Sequence, residues 1–251
     1  LPMRTMYFAS AALLAVLAAA PWVALGAHDR HLEDTPRNIT YRQVARTRLG
    51  QAMALFFGLQ SLQAYAIFGW FAQLWRDSGY SATVAGLLAG LLAATAIPLS
   101  LLLPNVLART ADPRRVLVPV ILAYPLGYVG LMVAPSSLAL AWAIVVGAAT
   151  ATFPLILTLI GLRARTPEGT ATLSAFTQST GYLLAALGPF LVGVVHDATG
   201  GWTWPLVLLL VLVIPLLPLA AYVSRPVMLE DQLGGPGRRA PQSPESPVRE
   251  G

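Results

Sequence analysis

Apolar runs long enough to cross a bilayer recur seven times in this chain, over residues 5–26, 49–73, 82–106, 115–134, 137–161, 171–195 and 204–223. About 20 apolar residues at 1.5 Å rise cover a hydrocarbon core of roughly 30 Å. Inside that core every backbone N–H and C=O must be paired within the protein, which leaves helices or a closed barrel. Runs of this length, bounded by charge, Pro, Gly and Ser clusters, read as helices. Composition agrees: with 56% hydrophobic and 11% charged residues, polar side chains are too few to coat a water-soluble particle of 251 residues. The expected fold class is an all-α membrane protein, a multi-pass bundle of seven transmembrane helices. The first run lacks a clean basic n-region and a small-x-small site, so it reads as a span and not as a cleaved signal.

Arginine supplies all 16 basic residues, because lysine is absent. Arg30, Arg37, Arg42, Arg46 and Arg48 lie in the loop 27–48, and Arg109, Arg114, Arg115, Arg163, Arg165, Arg225, Arg238, Arg239 and Arg249 fall on the same side of the membrane. Only Arg4 and Arg76 fall on the other. The positive-inside rule then puts the arginine-rich side and the carboxyl terminus in the cytoplasm and the amino terminus outside, in a plasma (inner) membrane. The net charge of +5 is a topology signal, and no nucleic-acid partner is expected. The missing lysine excludes a retinal Schiff base, and the missing cysteine excludes thiolate chemistry and disulfides. From Glu230 the chain reads "EDQLGGPGRRAPQSPESPVREG", whose Pro, Gly and Ser content predicts a disordered cytoplasmic tail over 226–251.

The run 49–73 contains "FGLQSLQAYAIFGW", with Gln60, Ser61, Gln63 and Tyr65 within six positions. Gln60, Ser61, Ala64, Tyr65 and Phe68 recur at helical spacings of three and four and share one face, whereas Gln63 points elsewhere. In the run 171–195, Ser174, Gln178 and Tyr182 recur every four residues. An unpaired amide in hydrocarbon costs several kcal/mol, so these faces must meet protein or water. Interhelical hydrogen bonding, worth about 0.6 kcal/mol per contact, is the plain reading, and a solute-facing cavity is the functional one.

Pro98, Pro154 and Pro189 are expected to interrupt their helices. Gly86 and Gly90 form a G-x-x-x-G pair that reads as close packing. Trp70, Trp75, Trp202 and Trp204 read as an aromatic belt at the outer boundary, with Trp70 also near enough to the polar face to line a cavity. Asp, Glu, His, Lys and Arg are absent from the middle of the runs, so no catalytic group is expected and the chain is not read as an enzyme. No cofactor is implied. The cluster "HDRHLED", His28 to Asp34, carries metal-ligand types in a charged loop, and no metal site is assigned to it. His196-Asp197 closes the sixth run as a helix-end turn, with an outer gate as the second reading.

The third run, "LLAATAIPLSLLLPNVLARTAD" from Leu91, and the sixth, "LLAALGPFLVGVVHDATGGW" from Leu183, share an opening, a proline (Pro98, Pro189) and a late Asp (Asp112, Asp197) on opposite faces of the membrane. That pattern suggests an inverted repeat. The chain opens "LPMRTMYF" without an initiator Met, and one run precedes the long basic loop while six follow it. It reads as part of a longer 6+6 transporter.

With "GLQSLQAYAIFGW", "ARTADPRRV" and the stretch Phe153 to Trp202 quoted as they stand, the chain resembles the carboxyl-terminal half of a major facilitator superfamily transporter. Within it, the similarity is to the cyanate permease and nitroimidazole transporter branch, over most of residues 3–225. The resemblance implies that residues 1–26 hold helix 6 of a 12-helix fold, 27–48 the cytoplasmic loop between bundles, and 49–225 helices 7 to 12. Helices 1 to 5 of the same protein would then be the missing partner of this bundle. The family architecture implies substrate contacts from Gln60, Ser61, Tyr65, Trp70, Thr158, Ser174, Gln178 and Tyr182. It implies gating by Pro154 and Pro189, and by Asp112, Arg114 and Arg115 at the place of the family's cytoplasmic loop motif. That motif is matched at Leu107-Ala108 and Arg114-Arg115, but Arg109 stands where the family has an acid. The function implied is alternating-access transport of a small polar solute such as cyanate or a nitroimidazole-like compound. A drug-efflux exporter of the same superfamily, or a seven-span receptor, is the alternative.

Overall fold

The computed structural model describes residues 39–233. The run 5–26, the cluster His28 to Asp34 and the tail beyond residue 233 lie outside the described residues. Within them, six helical segments are long and apolar enough to cross a membrane: Arg48–Asp77, Ala82–Arg109, Arg114–Val133, Ala139–Leu162, Pro167–Thr199 and Thr203–Val223. These match six of the seven runs, and no strand occurs among the described residues. The protein is an all-α, multi-pass membrane protein.

Among the described residues are eleven helices, of which α2 to α10 build these spans and α1 and α11 flank them: α1 (Tyr41–Arg46), α2 (Arg48–Asp77), α3 (Ala82–Arg109), α4 (Arg114–Val133), α5 (Ala139–Thr150), α6 (Thr152–Leu162), α7 (Pro167–Ala185), α8 (Leu187–Thr199), α9 (Thr203–Val213), α10 (Leu216–Val223) and α11 (Leu229–Leu233). Their starts follow from side chains that satisfy the free N–H groups of a first turn. Thr40 and Gln43 form a reciprocal capping box on α1. Thr47 caps α2, Ser81 caps α3 and Thr166 caps α7, the last followed by Pro167 in the first turn.

The prolines act unequally. The fifth span breaks at Ala151 and the sixth at Ala186, each three residues before a proline, Pro154 and Pro189. Proline cannot donate to the carbonyl four residues back, and its ring crowds that carbonyl. The seventh span breaks at Ile214 and Pro215, shortly before Pro218. By contrast, Pro98 and Pro104 lie inside an unbroken α3, and Pro119 and Pro125 inside α4. Pro98 therefore does not interrupt its helix as expected, and the likeness drawn between Pro98 and Pro189 does not extend to backbone shape.

α2 is the central helix, with Phe56, Phe57, Leu62, Ala66 and Ile67 in the core. Three glycines let it approach the sixth span closely. A Cβ on Gly58 would meet Leu184 at 2.8 Å, one on Gly181 would meet Phe57 at 2.5 Å, and one on Gly188 would meet the Leu62 carbonyl oxygen at 2.6 Å. The G-x-x-x-G pair behaves in the opposite way. A Cβ on Gly86 or Gly90 meets nothing within 4 Å, so the close packing expected of them is not made among the described residues. α3 is the most outward of the spans, with Leu87, Ile97, Leu101 and Leu102 exposed. Trp75 also departs from expectation, because it is fully buried in the core, while Trp204 is 61% exposed as a belt residue would be.

Both flanks of the bundle are more ordered than composition suggests. The segment 27–48, read as a loop, ends in α1 and in the first residue of α2. The tail, read as disordered from 226 on, forms α11 and docks. Leu229 is buried and its N–H donates to the Arg163 carbonyl at 2.8 Å. Glu230 Oε1 accepts from the backbone N–H groups of Arg165 and Thr166 at 2.9 and 3.1 Å. Arg165 makes a bidentate pair with Asp231, at 2.5 and 2.9 Å. Gln232 Oε1 accepts the Leu49 N–H at 3.0 Å, an otherwise free donor of the first turn of α2. Acid at a helix start and a glutamine on a free amide are favourable for reasons that a Pro and Gly count does not register.

Candidate functional site

The polar stretch of α2 divides its residues between two environments. Gln63 turns inward, donating from Nε2 to the Leu209 carbonyl at 2.9 Å and accepting from the Tyr128 hydroxyl at 2.6 Å. Both of its amide atoms are used, so it holds α2, α4 and α9 together. Gln60 is also fully buried. Its Nε2 donates to Ser61 Oγ at 2.6 Å, but its Oε1 has no partner. A buried amide oxygen without a donor among the described residues costs about 1–3 kcal/mol.

Ser61, but not its neighbour Gln60, lines a cleft of about 250 Å³ between α2, α3 and the break that separates α5 from α6. Its chemistry comes from the hydroxyls of Ser61, Tyr65 and Ser100 and the rings of Phe68 and Phe153, with Pro154 at its edge; Thr150 also lines it, but its hydroxyl donates to the Gly147 carbonyl at 2.7 Å. Tyr65 and Phe68 are 42% and 54% exposed, so this face is open on one side. No ionisable carboxylate, imidazole or guanidinium lines it. It can offer a solute hydroxyl hydrogen bonds and aromatic faces, with no fixed charge.

The α7 face approaches through aromatic rings. Tyr182 packs edge-on against Phe57, with centroids 5.0 Å apart, and lies parallel to Tyr65 at 6.2 Å. Phe57 in turn contacts Phe153 at 5.7 Å. Gln178 Nε2 donates to Ser174 Oγ at 2.6 Å, and both side chains are half-buried. The structure thus brings Ser61, Tyr65 and Pro154 to the cleft and joins Tyr182 to them by stacking. Ser174 and Gln178 stand on the adjoining face without lining the cleft. Thr158 is spent locally, donating to the Pro154 carbonyl at 2.9 Å.

Trp70 lies apart from the cleft and is not simply a belt residue. Its indole N–H donates to the Pro189 carbonyl at 2.8 Å, at the break between α7 and α8. Asp112 accepts the Arg114 N–H at 3.1 Å and lies 3.9 Å from its Nε, a contact internal to one turn. Arg115 is exposed. Phe153, read with Pro154 as a gating pair, lines the cleft, whereas Ser100 and Thr150 were not singled out from the sequence. Thr150 precedes the proline break and could have been sought there; Ser100 is a lone hydroxyl in an apolar helix and carries no comparable signal.

No family model matches the chain. Among curated proteins, 188 residues are 40% identical to the 2-nitroimidazole transporter of Escherichia coli (strain K12), covering 74% of this chain and 47% of that protein. The chain is a relative of bacterial membrane transporters. A second relative, described as uncharacterized transporter YycB of Bacillus subtilis (strain 168), is 33% identical over 199 residues, covering 78% of this chain and 49% of it. The resemblance read from "GLQSLQAYAIFGW" and the stretch Phe153 to Trp202 is borne out by these transporter relatives. The chain spans about half the length of the curated relatives it matches.

Proposed function

We propose that this chain supplies the carboxyl-terminal six-helix bundle of a secondary active transporter that moves a small polar solute by alternating access. The observation that carries the reading is the charge-free cleft at the break in the fifth span, where Ser61, Tyr65, Ser100 and Thr150 surround aromatic walls. A flat heteroaromatic solute with a few hydrogen-bonding atoms suits such a surface, and the printed name of the 2-nitroimidazole transporter supports that class. The exposed Tyr65 and Phe68 would be covered by solute or by the other bundle, helices 1 to 5 of the same protein. Bends at Ala151 and Ala186 let half-spans change angle while the closely packed α2 and α7 stay together.

The test is flux of radiolabelled 2-nitroimidazole and cyanate in vesicles carrying the full-length protein, in both directions. Ser61→Ala and Tyr65→Phe are expected to lower flux severalfold at unchanged membrane abundance. Flux that survives both changes, for every solute tried, would remove this cleft from the pathway. Net extrusion would select the exporter alternative.

A further inference from the structure

At the end of the bundle opposite the arginine-rich side, five side chains that the cleft does not use come together. Asp77 ends α2, His196 and Asp197 lie in the last turn of α8, Trp202 precedes α9, and Trp70 lies two turns before the end of α2. The His196 Nε2 is 3.9 Å from Asp77 Oδ2 and its Nδ1 is 3.4 Å from Asp197 Oδ1. Trp202 donates its indole N–H to the same Asp77 Oδ2 at 2.9 Å. The imidazole is flanked by two indoles, Trp202 with centroids 4.4 Å away and Trp70 at 6.2 Å.

We propose that His196, set between Asp77 and Asp197, is a proton-binding site whose occupancy clasps the end of α8 to the end of α2. A neutral imidazole carries one ring proton, so one of the two carboxylates must face a lone pair. Binding a proton makes both ring nitrogens donors, and each then points at a carboxylate. The added positive charge also lies against the faces of two indoles, which attract cations. Three elements pack on the ring. α2 contributes Asp77 and Trp70, α8 contributes Asp197, and the segment before α9 contributes Trp202, which does not titrate. Arg76, the other charged residue at this end of α2, is exposed and pairs with neither carboxylate among the described residues.

The clasp is connected to the break in the sixth span. Trp70 bonds the Pro189 carbonyl at 2.8 Å, and a Cβ on Gly193 would meet its ring at 2.8 Å, so only glycine there lets the indole lie flat on α8. α8 is thus held to α2 at two points, one fixed at Pro189 and one proton-dependent at Asp77. α7, which carries Ser174, Gln178 and Tyr182, lies beyond the break at Ala186. Loosening the proton-dependent point frees α8 without disturbing that face.

Protonated imidazole quenches neighbouring indole fluorescence, which gives a direct readout. In the purified chain in lipid nanodiscs, tryptophan emission is followed from about pH 8 to about pH 5, the range in which histidine ordinarily titrates. Emission is expected to fall as the proton binds, His196→Gln to remove most of that change, and Trp202→Phe to reduce it. An unchanged response in His196→Gln would overturn the site. If His196→Gln fails to insert, Trp202→Phe decides alone, and an undiminished change there would overturn it. The clasp itself is read from amide hydrogen exchange over residues 194–199 in the last turns of α8. Their exchange, divided by that of the same amides in a His196→Gln background at the same pH, is expected to be severalfold slower in acid. A ratio independent of pH would refute the clasp.

Discussion

Tyr128 gives its hydroxyl proton to Gln63 Oε1 at 2.6 Å, between two residues that are each buried and 65 positions apart. One turn earlier on α2, Gln60 has the same side chain and equal burial but an amide oxygen with no donor. Two glutamines of one polar stretch thus have different tasks, structural for Gln63 and unfilled for Gln60.

The difference is measurable as stability. Gln63→Leu leaves the Tyr128 hydroxyl without its partner and removes the bond to the Leu209 carbonyl, a loss of about 0.6–2 kcal/mol given the usual worth of hydrogen bonds between membrane helices. Gln60→Leu removes an unsatisfied oxygen and is expected to be neutral or slightly stabilising. Thermal unfolding in detergent checks the pair, and a larger loss for Gln60→Leu would contradict the assignment.

Glycine positions separate in the same way. Gly181→Ala forces a methyl to 2.5 Å from Phe57 and 3.0 Å from the Gly58 nitrogen, where a well-packed interface loses about 1–3 kcal/mol. Gly86→Ala meets nothing within 4 Å and should gain about 0.5–1 kcal/mol from helix propensity. Thermal unfolding in detergent checks both, and a loss for Gly86→Ala would contradict its open surroundings.

Acid should release α11. The hydrogen bond from Arg165 holds the Asp231 carboxyl below its usual range, and that pair is solvent-exposed. A carboxyl with a depressed native value contributes stability above its unfolded value of about 3.9, and loses it as pH falls through the native value. Hydrogen exchange at residues 229–233 is therefore expected to accelerate relative to the core below about pH 4. Arg165→Gln should abolish most of that acceleration, and an identical acid profile in the variant would assign the release to another group.

Sidedness can be tested because cysteine is absent. A cysteine at Ser137 should react with an impermeant maleimide added outside intact cells, and one at Thr170 only after permeabilisation. The reverse pattern would invert the topology drawn from the arginines.

The number and limits of the described spans were legible in the sequence because insertion depends on a one-dimensional quantity, the hydrophobicity summed over about 20 consecutive residues. The shared face of Ser61, Tyr65 and Phe68 was legible for a related reason: helical geometry repeats every 3.6 residues, whatever the helix packs against. What remained hidden depends on groups distant in the chain. Helical spacing puts Gln60 and Gln63 on different faces, but only Tyr128 and the Leu209 carbonyl, 146 residues on from Gln63, decide which is satisfied. Pro98 and Pro154 are the same residue in similar apolar surroundings, yet one lies in a continuous helix and the other follows a break. The tail helix is held by Gln232 reaching Leu49 across 183 residues, and Asp77 meets Trp202 across 125. Local periodicity and composition are sums over neighbours, so they carry the lengths and faces of helices; pairing of buried polar groups is a property of positions in space, and only the tertiary structure decided it.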